Sequence, residues 1–142
     1  MAAAPCKQLG LGGDTVRGIQ RFEDVVGWRK ARALTKAIYQ ISSDGPLAKD
    51  FALRDQIRRA AISVMSNIAE GFERYSNAEL KRFLAIARGS AAEVRSQVYV
   101  AFDLGYIDQR TFSQLIADGN EVSRIIAKLR SSIEAADPQL KK

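Results

Sequence analysis

Residues 56–72 read QIRRAAISVMSNIAEGF and predict a helix with two contrasting faces. One face is a buried stripe, because its apolar residues recur at steps of four and three: Ile57, Ala61, Val64, Ile68 and Phe72. The opposite face carries mostly short or hydrogen-bonding side chains: Gln56, Arg59, Ser63, Ser66, Asn67 and Glu70. Small side chains let another backbone come close, so we expect this face to contact a second copy of the chain.

Four amphipathic helices follow one another along the sequence. The first spans residues 24–42 and is broken by Gly45-Pro46, and the second, residues 51–73, contains the stretch above. The third begins at a capping box formed by Ser76 and Glu79 and ends at Gly105. The fourth begins at Asp108 as its N-cap and fades at residues 137–138.

Short links between amphipathic helices favour antiparallel neighbours. Alternating steps of three and four favour the packing angle of a left-handed bundle. We therefore predict an all-α fold, an up-down-up-down antiparallel four-helix bundle over residues 22–136. Residues 1–21 are predicted to be a flexible N-terminal tail, and residues 137–142 a C-terminal tail.

The third helix has a second non-polar side, away from its core stripe, that extends the proposed contact surface. It carries Ile86, Gly89 and Glu93, followed by Ser96 and Val100. A glycine inside a helix costs about 1 kcal/mol relative to alanine, and close approach of another helix would justify it here. We predict a homo-oligomer through the second and third helices, with Arg59 and Glu70 bonding across subunits or to Asn67. The alternative is scattered exposed apolar residues, which are common on monomers.

Composition narrows the classes of function. The 142 residues suit one domain, carry a net charge of +6 and contain one cysteine and no histidine. Catalysis by a histidine base and histidine metal ligation are excluded, and a zinc site within one chain is not expected. No apolar run approaches the ~20 residues that span a bilayer. We expect a cytoplasmic protein that is not an enzyme and needs no cofactor or metal.

Basic residues form rows along the predicted helices. Lys81, Arg88 and Arg95 lie seven residues apart, so they share one edge of the third helix. A similar edge on the first helix carries Arg29, Arg32 and Lys36, and the sides of the second helix carry Arg58 and Arg74. Rows of cations can follow the phosphate backbone of RNA or DNA. The alternative is a solvated face whose cations form ion pairs within their own helix.

The sequence also resembles a known family along residues 21–133. It is similar to the small four-helix bundle proteins encoded by intervening sequences within bacterial 23S rRNA genes. More distantly, it is similar to the accessory variability protein of diversity-generating retroelements. The resemblance is carried by RFED at 21–24, QIRRAA at 56–61, SNIAEGF at 66–72, RFL at 82–84, ARGS at 87–90 and LGY at 104–106.

The resemblance implies a helical subunit that assembles as a ring, typically a homopentamer. Its retroelement relatives look like basic barrels that bind nucleic acid and a partner reverse transcriptase. We therefore expect an oligomeric bundle that binds RNA or DNA through its basic faces. The alternative is an adaptor that docks a nucleic-acid enzyme as a partner protein.

Overall fold

The computed structural model describes Ile19, residues 21–74 and residues 76–141. Within these residues the chain is all-helical and contains no strand, which confirms the predicted fold class at that level. Four long helices and one short helix make up the fold: α1 (Val26–Ile41), α2 (Gly45–Lys49), α3 (Phe51–Glu73), α4 (Asn77–Asp103) and α5 (Gln109–Ala136). Helix α3 has the bounds that the sequence predicted. None of the described helices is long and apolar enough to cross a membrane.

Side-chain caps fix the beginnings of α4 and α5 where the sequence placed them. Ser76 Oγ accepts a hydrogen bond from the Glu79 backbone N–H at 3.1 Å, and Asp108 Oδ1 accepts one from the Thr111 N–H at 2.8 Å. The bond from the Thr111 backbone lowers the pKa of Asp108, because it favours the charged carboxylate. Both caps satisfy amide groups that have no partner inside the helix.

Gly105 ends α4 in the left-handed conformation, with φ of 73°. The Gly105 N–H donates to the Phe102 carbonyl and the Tyr106 N–H donates to the Ala101 carbonyl, each at 2.9 Å. This pair of bonds is a Schellman motif, in which a glycine avoids the steric cost of positive φ. The chain therefore turns sharply between α4 and α5.

The link between the first two predicted helices contains an additional short helix. Gly45 has φ of 71° and breaks the chain direction as predicted, but it also begins α2, which has Pro46 in its first turn. Proline is tolerated in a first helical turn because the N–H that it lacks would have no partner there. Leu47 anchors this helix in the interior, so the described residues form five α-helices where the sequence predicted four.

A 3₁₀ turn precedes α1 at Phe22–Asp24, and another follows α5 at Pro138–Lys141. The N-cap position of α1 is Val25, which forms no side-chain cap bond, and Phe22 packs edge-on against Trp28 at 5.2 Å between ring centroids. After α5, Leu140 packs against the core, so the segment predicted to be a C-terminal tail is docked on the bundle. Most of the predicted N-terminal tail lies outside the described residues.

The four long helices share one apolar core. Helix α3 packs against both α1 and α4, and α5 packs against α4 and α1. The stripe predicted for α3 is confirmed, because all five of its residues are buried. A Cβ added to Gly71 would lie 2.9 Å from Phe83 Cβ and 3.1 Å from Leu80 Cδ1, so the glycine permits the close approach of α3 and α4.

Tyr106 ties the loop after α4 to the start of α3. Its hydroxyl donates to Asp50 Oδ2 at 3.1 Å, while Asp50 Oδ1 accepts from the Leu53 N–H at 3.2 Å and caps α3. The hydrogen bond to Asp50 raises the pKa of Tyr106, because it favours the protonated phenol. The stabilisation is therefore present at neutral pH and is lost as pH rises through the raised pKa, above the ordinary value of 10.0.

The fit at Gly71 predicts opposite effects for two glycine-to-alanine substitutions. We expect Gly71→Ala to lower the free energy of unfolding by roughly 1–3 kcal/mol, because its methyl group overlaps Phe83 and Leu80. Gly89 faces open space, so Gly89→Ala should raise the free energy by roughly 0.5–1 kcal/mol through helix propensity alone. Urea unfolding followed by circular dichroism measures both. A Gly71→Ala variant as stable as the parent would contradict the close approach of α3 and α4.

Candidate nucleic-acid interface

The first predicted row of cations lies along α4, and its first member is used within the chain. The Lys81 ammonium forms an ion pair with Glu134 on α5 at 3.0 Å and donates to the Leu140 carbonyl. Its side chain is only 17% exposed. Lys81 therefore holds the C-terminal turn against α4 and is a poor partner for an external phosphate.

Arg95 is the second member of this row that packs inside the bundle. A Cβ on Gly119 would lie 2.8 Å from Arg95 Cγ, so the arginine stem crosses α5 where the glycine leaves room. Its guanidinium then donates to Ser123 Oγ at 2.5 Å. This contact explains why position 119 on α5 is a glycine.

Arg88, the middle member, is exposed and forms no ion pair with any described residue. Arg130 on the facing helix has a buried Nε atom without a hydrogen-bond partner in the described part of the chain. The α4 row is therefore not a continuous cationic edge. Its outer members stabilise the contact between α4 and α5, and only Arg88 is available to a ligand.

The row on α1 is more open. Arg29 donates to the Glu23 carbonyl at 2.8 Å and pairs weakly with Asp24 at 3.4 Å, so it closes the start of the helix. The Arg32 guanidinium lies 5.7 Å from the Trp28 ring centroid, and Lys36 has no partner among the described residues. Both side chains are exposed.

Two cations from α3 lie beside Tyr39, which is three residues beyond Lys36 on α1. Arg58 lies 4.4 Å from the centroid of the Tyr39 ring and donates to Ser42 Oγ and the Ser42 carbonyl at 2.8 and 3.0 Å. Arg59 is exposed and, within the described chain, has no partner. Arg74, the other predicted α3 cation, pairs with Glu70 at 2.6 Å.

We call the surface formed by Arg32, Lys36, Tyr39, Arg58 and Arg59 the α1–α3 cationic face. No carboxylate of the described residues pairs with its four cations. Arg32, Lys36 and Tyr39 recur at steps of four and three, so they share one side of α1. The sequence assigned Arg59 to the oligomer surface, because nothing in the sequence of α3 reveals which of its sides faces α1.

The residues predicted to form an oligomer contact fall into two groups. Ser63 Oγ lies 2.8 Å from Ser90 Oγ on α4, and Asn67 donates to the Ser63 carbonyl at 2.8 Å. These small side chains therefore serve a helix contact within the chain. Glu70 bonds to Arg74 rather than to Asn67, so the expected pairing of Glu70 with Asn67 is absent within the subunit.

The second group faces outwards. Ile86 and Val100 on α4 are 41% and 43% exposed, and a Cβ on Gly89 would meet nothing within 4 Å. Ser66 and Glu93 are exposed as well. The sequence predicts that these residues lie outside the core of the subunit, and the single chain does leave them exposed to solvent. No cluster of potential metal ligands is found among the described residues.

Comparisons with known proteins agree on the kind of protein. Residues 23–128 match the model of a family described as 23S rRNA-intervening sequence protein. The chain is also similar to the crystal structure of a protein of unknown function from the S23 ribosomal protein family of Bacteroides thetaiotaomicron. The TM-score is 0.69 at 22% identity, over 74% of this chain and 98% of the other. None of the curated proteins matches the sequence.

The placement of the α4 row predicts unequal effects for two arginines on the same helix. We expect Arg95→Ala to lower the free energy of unfolding by roughly 1–2 kcal/mol, because it removes a packed stem and a bond to Ser123. Arg88→Ala should change it by less than about 0.5 kcal/mol, as is usual for an exposed surface site. Thermal unfolding of the two variants provides the comparison, and equal losses would show that Arg95 is not held in the contact.

Proposed function

Because the chain belongs to the family of 23S rRNA-intervening sequence proteins, we propose that it is a non-enzymatic helical bundle that binds RNA or DNA. It would bind the phosphate backbone through the α1–α3 cationic face. It would act in the cytoplasm, and it would assemble as a homopentamer. The observation that carries the proposal is a set of four cations for which the described residues supply no carboxylate partner, two of which, Arg58 and Arg59, line a cleft together with the exposed Tyr39.

Phosphate neutralisation is the mechanism that this surface favours. Each cation that contacts a phosphate releases a condensed counterion, and this release drives sequence-independent binding. Tyr39 adds an aromatic surface against which a base can stack. Arg58 needs no large rearrangement to meet a phosphate, because its bonds to Ser42 already fix the guanidinium beside the Tyr39 ring.

We also propose that α1, α3, α4 and α5 run up-down-up-down. Contacts between the ends of adjacent helices support this arrangement. Lys81, near the start of α4, meets Glu134, near the end of α5, while Arg95 meets Ser123. Likewise Gly71, near the end of α3, lies against Leu80, near the start of α4. Antiparallel neighbours produce this inverse order of contacts.

Oligomerisation is proposed to use the outer side of α4. Ile86 and Val100 expose apolar area there, and Gly89 leaves space for a neighbouring helix. A closed ring would repeat the α1–α3 cationic face once per subunit. Several weak contacts to one nucleic acid would then act together, because each later contact forms at high effective concentration.

Charge reversal tests the binding surface. We expect Arg32→Glu, Lys36→Glu and Arg59→Glu, combined in one variant, to abolish binding of a short RNA or DNA at physiological salt. Restoring one of these cations should recover part of the affinity. Each cation that contacts a phosphate should contribute about one unit to the slope of log affinity against log salt, so the three reversed residues account for about three. Gel-shift titrations over a range of salt measure both quantities.

A matched control separates a local surface from overall charge. Arg110, Arg124 and Lys128 are three exposed cations on α5 without ion pairs among the described residues. Reversing these three changes the net charge equally and should leave most of the affinity. Equal losses in the two triple variants would reject the α1–α3 cationic face as the binding surface.

The oligomer contact has its own test. Gly89→Arg should reduce the assembly to monomers, because a long cation would occupy the space reserved for a neighbouring helix. Its control is Gly89→Ala, which adds only a methyl group. Size-exclusion chromatography with light scattering measures both masses. A parent protein that elutes as a 15.6 kDa particle in dilute solution would overturn the proposed assembly.

The second candidate function is an adaptor that docks a nucleic-acid enzyme. Exposed apolar residues favour it, because Ile86, Val100 and Leu104 all lie on or just after α4 and none of them helps to bind phosphate. Purification with the partner protein after nuclease treatment would support this function. Loss of the partner together with the nucleic acid would favour direct nucleic-acid binding instead.

A further inference from the structure

An open cleft of about 290 Å³ lies within the α1–α3 cationic face, and one of its groups does not suit phosphate binding. The cleft is lined by Tyr39, Asp55, Arg58, Arg59 and Ile62. A surface that only neutralised phosphates would gain nothing from a carboxylate in its lining, since like charges repel. Asp55 is paired with Arg54 at 3.0 Å and keeps acceptor capacity for a ligand that carries hydrogen-bond donors.

The walls of the cleft combine an aromatic and an aliphatic surface. Tyr39 and Ile62 are 38% and 41% exposed, so both present apolar area to a ligand. The Tyr39 ring is held by Arg58, whose guanidinium lies 4.4 Å from its centroid and is fixed in turn by two bonds to Ser42. A held ring loses less side-chain entropy when a flat ligand stacks on it.

Asp55 is available at the edge of this cleft. Its side chain is 48% exposed, and its Oδ1 atom accepts a bond from Arg54 Nε at 3.0 Å, which leaves Oδ2 and further lone pairs for a ligand. An ionised carboxylate only accepts hydrogen bonds. On a nucleic acid it can accept from the N–H groups on base edges and, in RNA, from the ribose 2′-hydroxyl, because phosphate oxygens offer no donor. Only the base edges differ from one nucleotide to another.

We propose that the cleft receives one unstacked guanine base of a single-stranded nucleic acid. The Watson–Crick edge of guanine offers two adjacent donors, N1–H and N2–H, which a carboxylate can accept together. Uracil and thymine offer one donor between two carbonyl oxygens, which the carboxylate repels. Arg59 then meets the phosphate beside the base, while Tyr39 and Ile62 cover its face. This inference rests on the proposed function and specifies its ligand.

Two oligonucleotides test the base preference. The first is an octamer of uridine, and the second is the same octamer with one central guanosine. The parent protein should bind the guanosine-containing octamer about tenfold more tightly, the discrimination typical of a bidentate contact to a base. Fluorescence anisotropy at fixed salt measures both affinities, and replacing the guanosine by inosine, which lacks the N2 donor, should remove most of the difference.

Asp55→Ala provides a test in which two effects have opposite signs. Losing a negative charge should strengthen binding of the uridine octamer, while losing the acceptor should remove the preference for guanosine. Asp118→Ala, which removes a partly buried carboxylate on α5, is the control that should leave the preference intact. If Asp55→Ala strengthens both octamers equally and keeps their ratio, the carboxylate does not read the base and the inference is overturned.

Tyr39→Ala separates stacking from charge. We expect about tenfold weaker binding of the guanosine-containing octamer and an unchanged affinity for duplex of the same length. The salt dependence should stay the same, because no phosphate contact is removed. If the parent protein bound both octamers equally, the base cleft would be rejected, while the proposed function would stand. Failure to bind any nucleic acid at low salt would reject the proposed function, and the base cleft with it.

Discussion

Helices α3 and α4 approach closely where Gly71 faces Leu80 and Phe83, and the other contacts of the bundle are arranged around this packing. A side chain as small as a methyl group at Gly71 would overlap Phe83 Cβ. Ser63 and Ser90 continue the same contact with a hydrogen bond between small side chains. Since α3 also packs against α1, its position fixes both the outer side of α4 and the α1–α3 cationic face.

The cations of this chain divide into those that stabilise the fold and those that are available to a ligand. Lys81 and Arg95 satisfy their charged groups with Glu134, the Leu140 carbonyl and Ser123, so they join α4 to α5. In the α1–α3 cationic face, by contrast, Arg32 lies beside an aromatic ring, and Arg58 meets an aromatic ring and neutral oxygens. An arginine bound only to neutral groups keeps its charge uncompensated and attracts anions. Net charge alone therefore says little about where a phosphate would bind.

The α1–α3 cationic face offers more than positive charge. Tyr39, Ile62 and Asp55 add stacking, apolar cover and an acceptor in one cleft, whereas a lysine-rich surface would offer charge alone. The family relation connects the chain with 23S rRNA intervening sequences, and the similar crystal structure shares its fold. Neither comparison assigns a ligand, so the proposal depends on the chemistry of this surface. Its chemistry favours a single strand, whose bases are free to leave the stack.

The sequence by itself determined the helical fold class, the helix ends and the buried stripes. These depend on local rules: apolar spacing, the caps at Ser76 and Asp108, and the glycine at position 105 that turns the chain. Local rules missed α2, because a one-turn helix leaves no periodic pattern. Only the tertiary structure decided that Arg95 crosses α5 and that Tyr39 of α1 lies beside Arg58 and Arg59. The physical reason is that spacing fixes which residues share a side of a helix, while the rotation of each helix about its axis decides what that side meets.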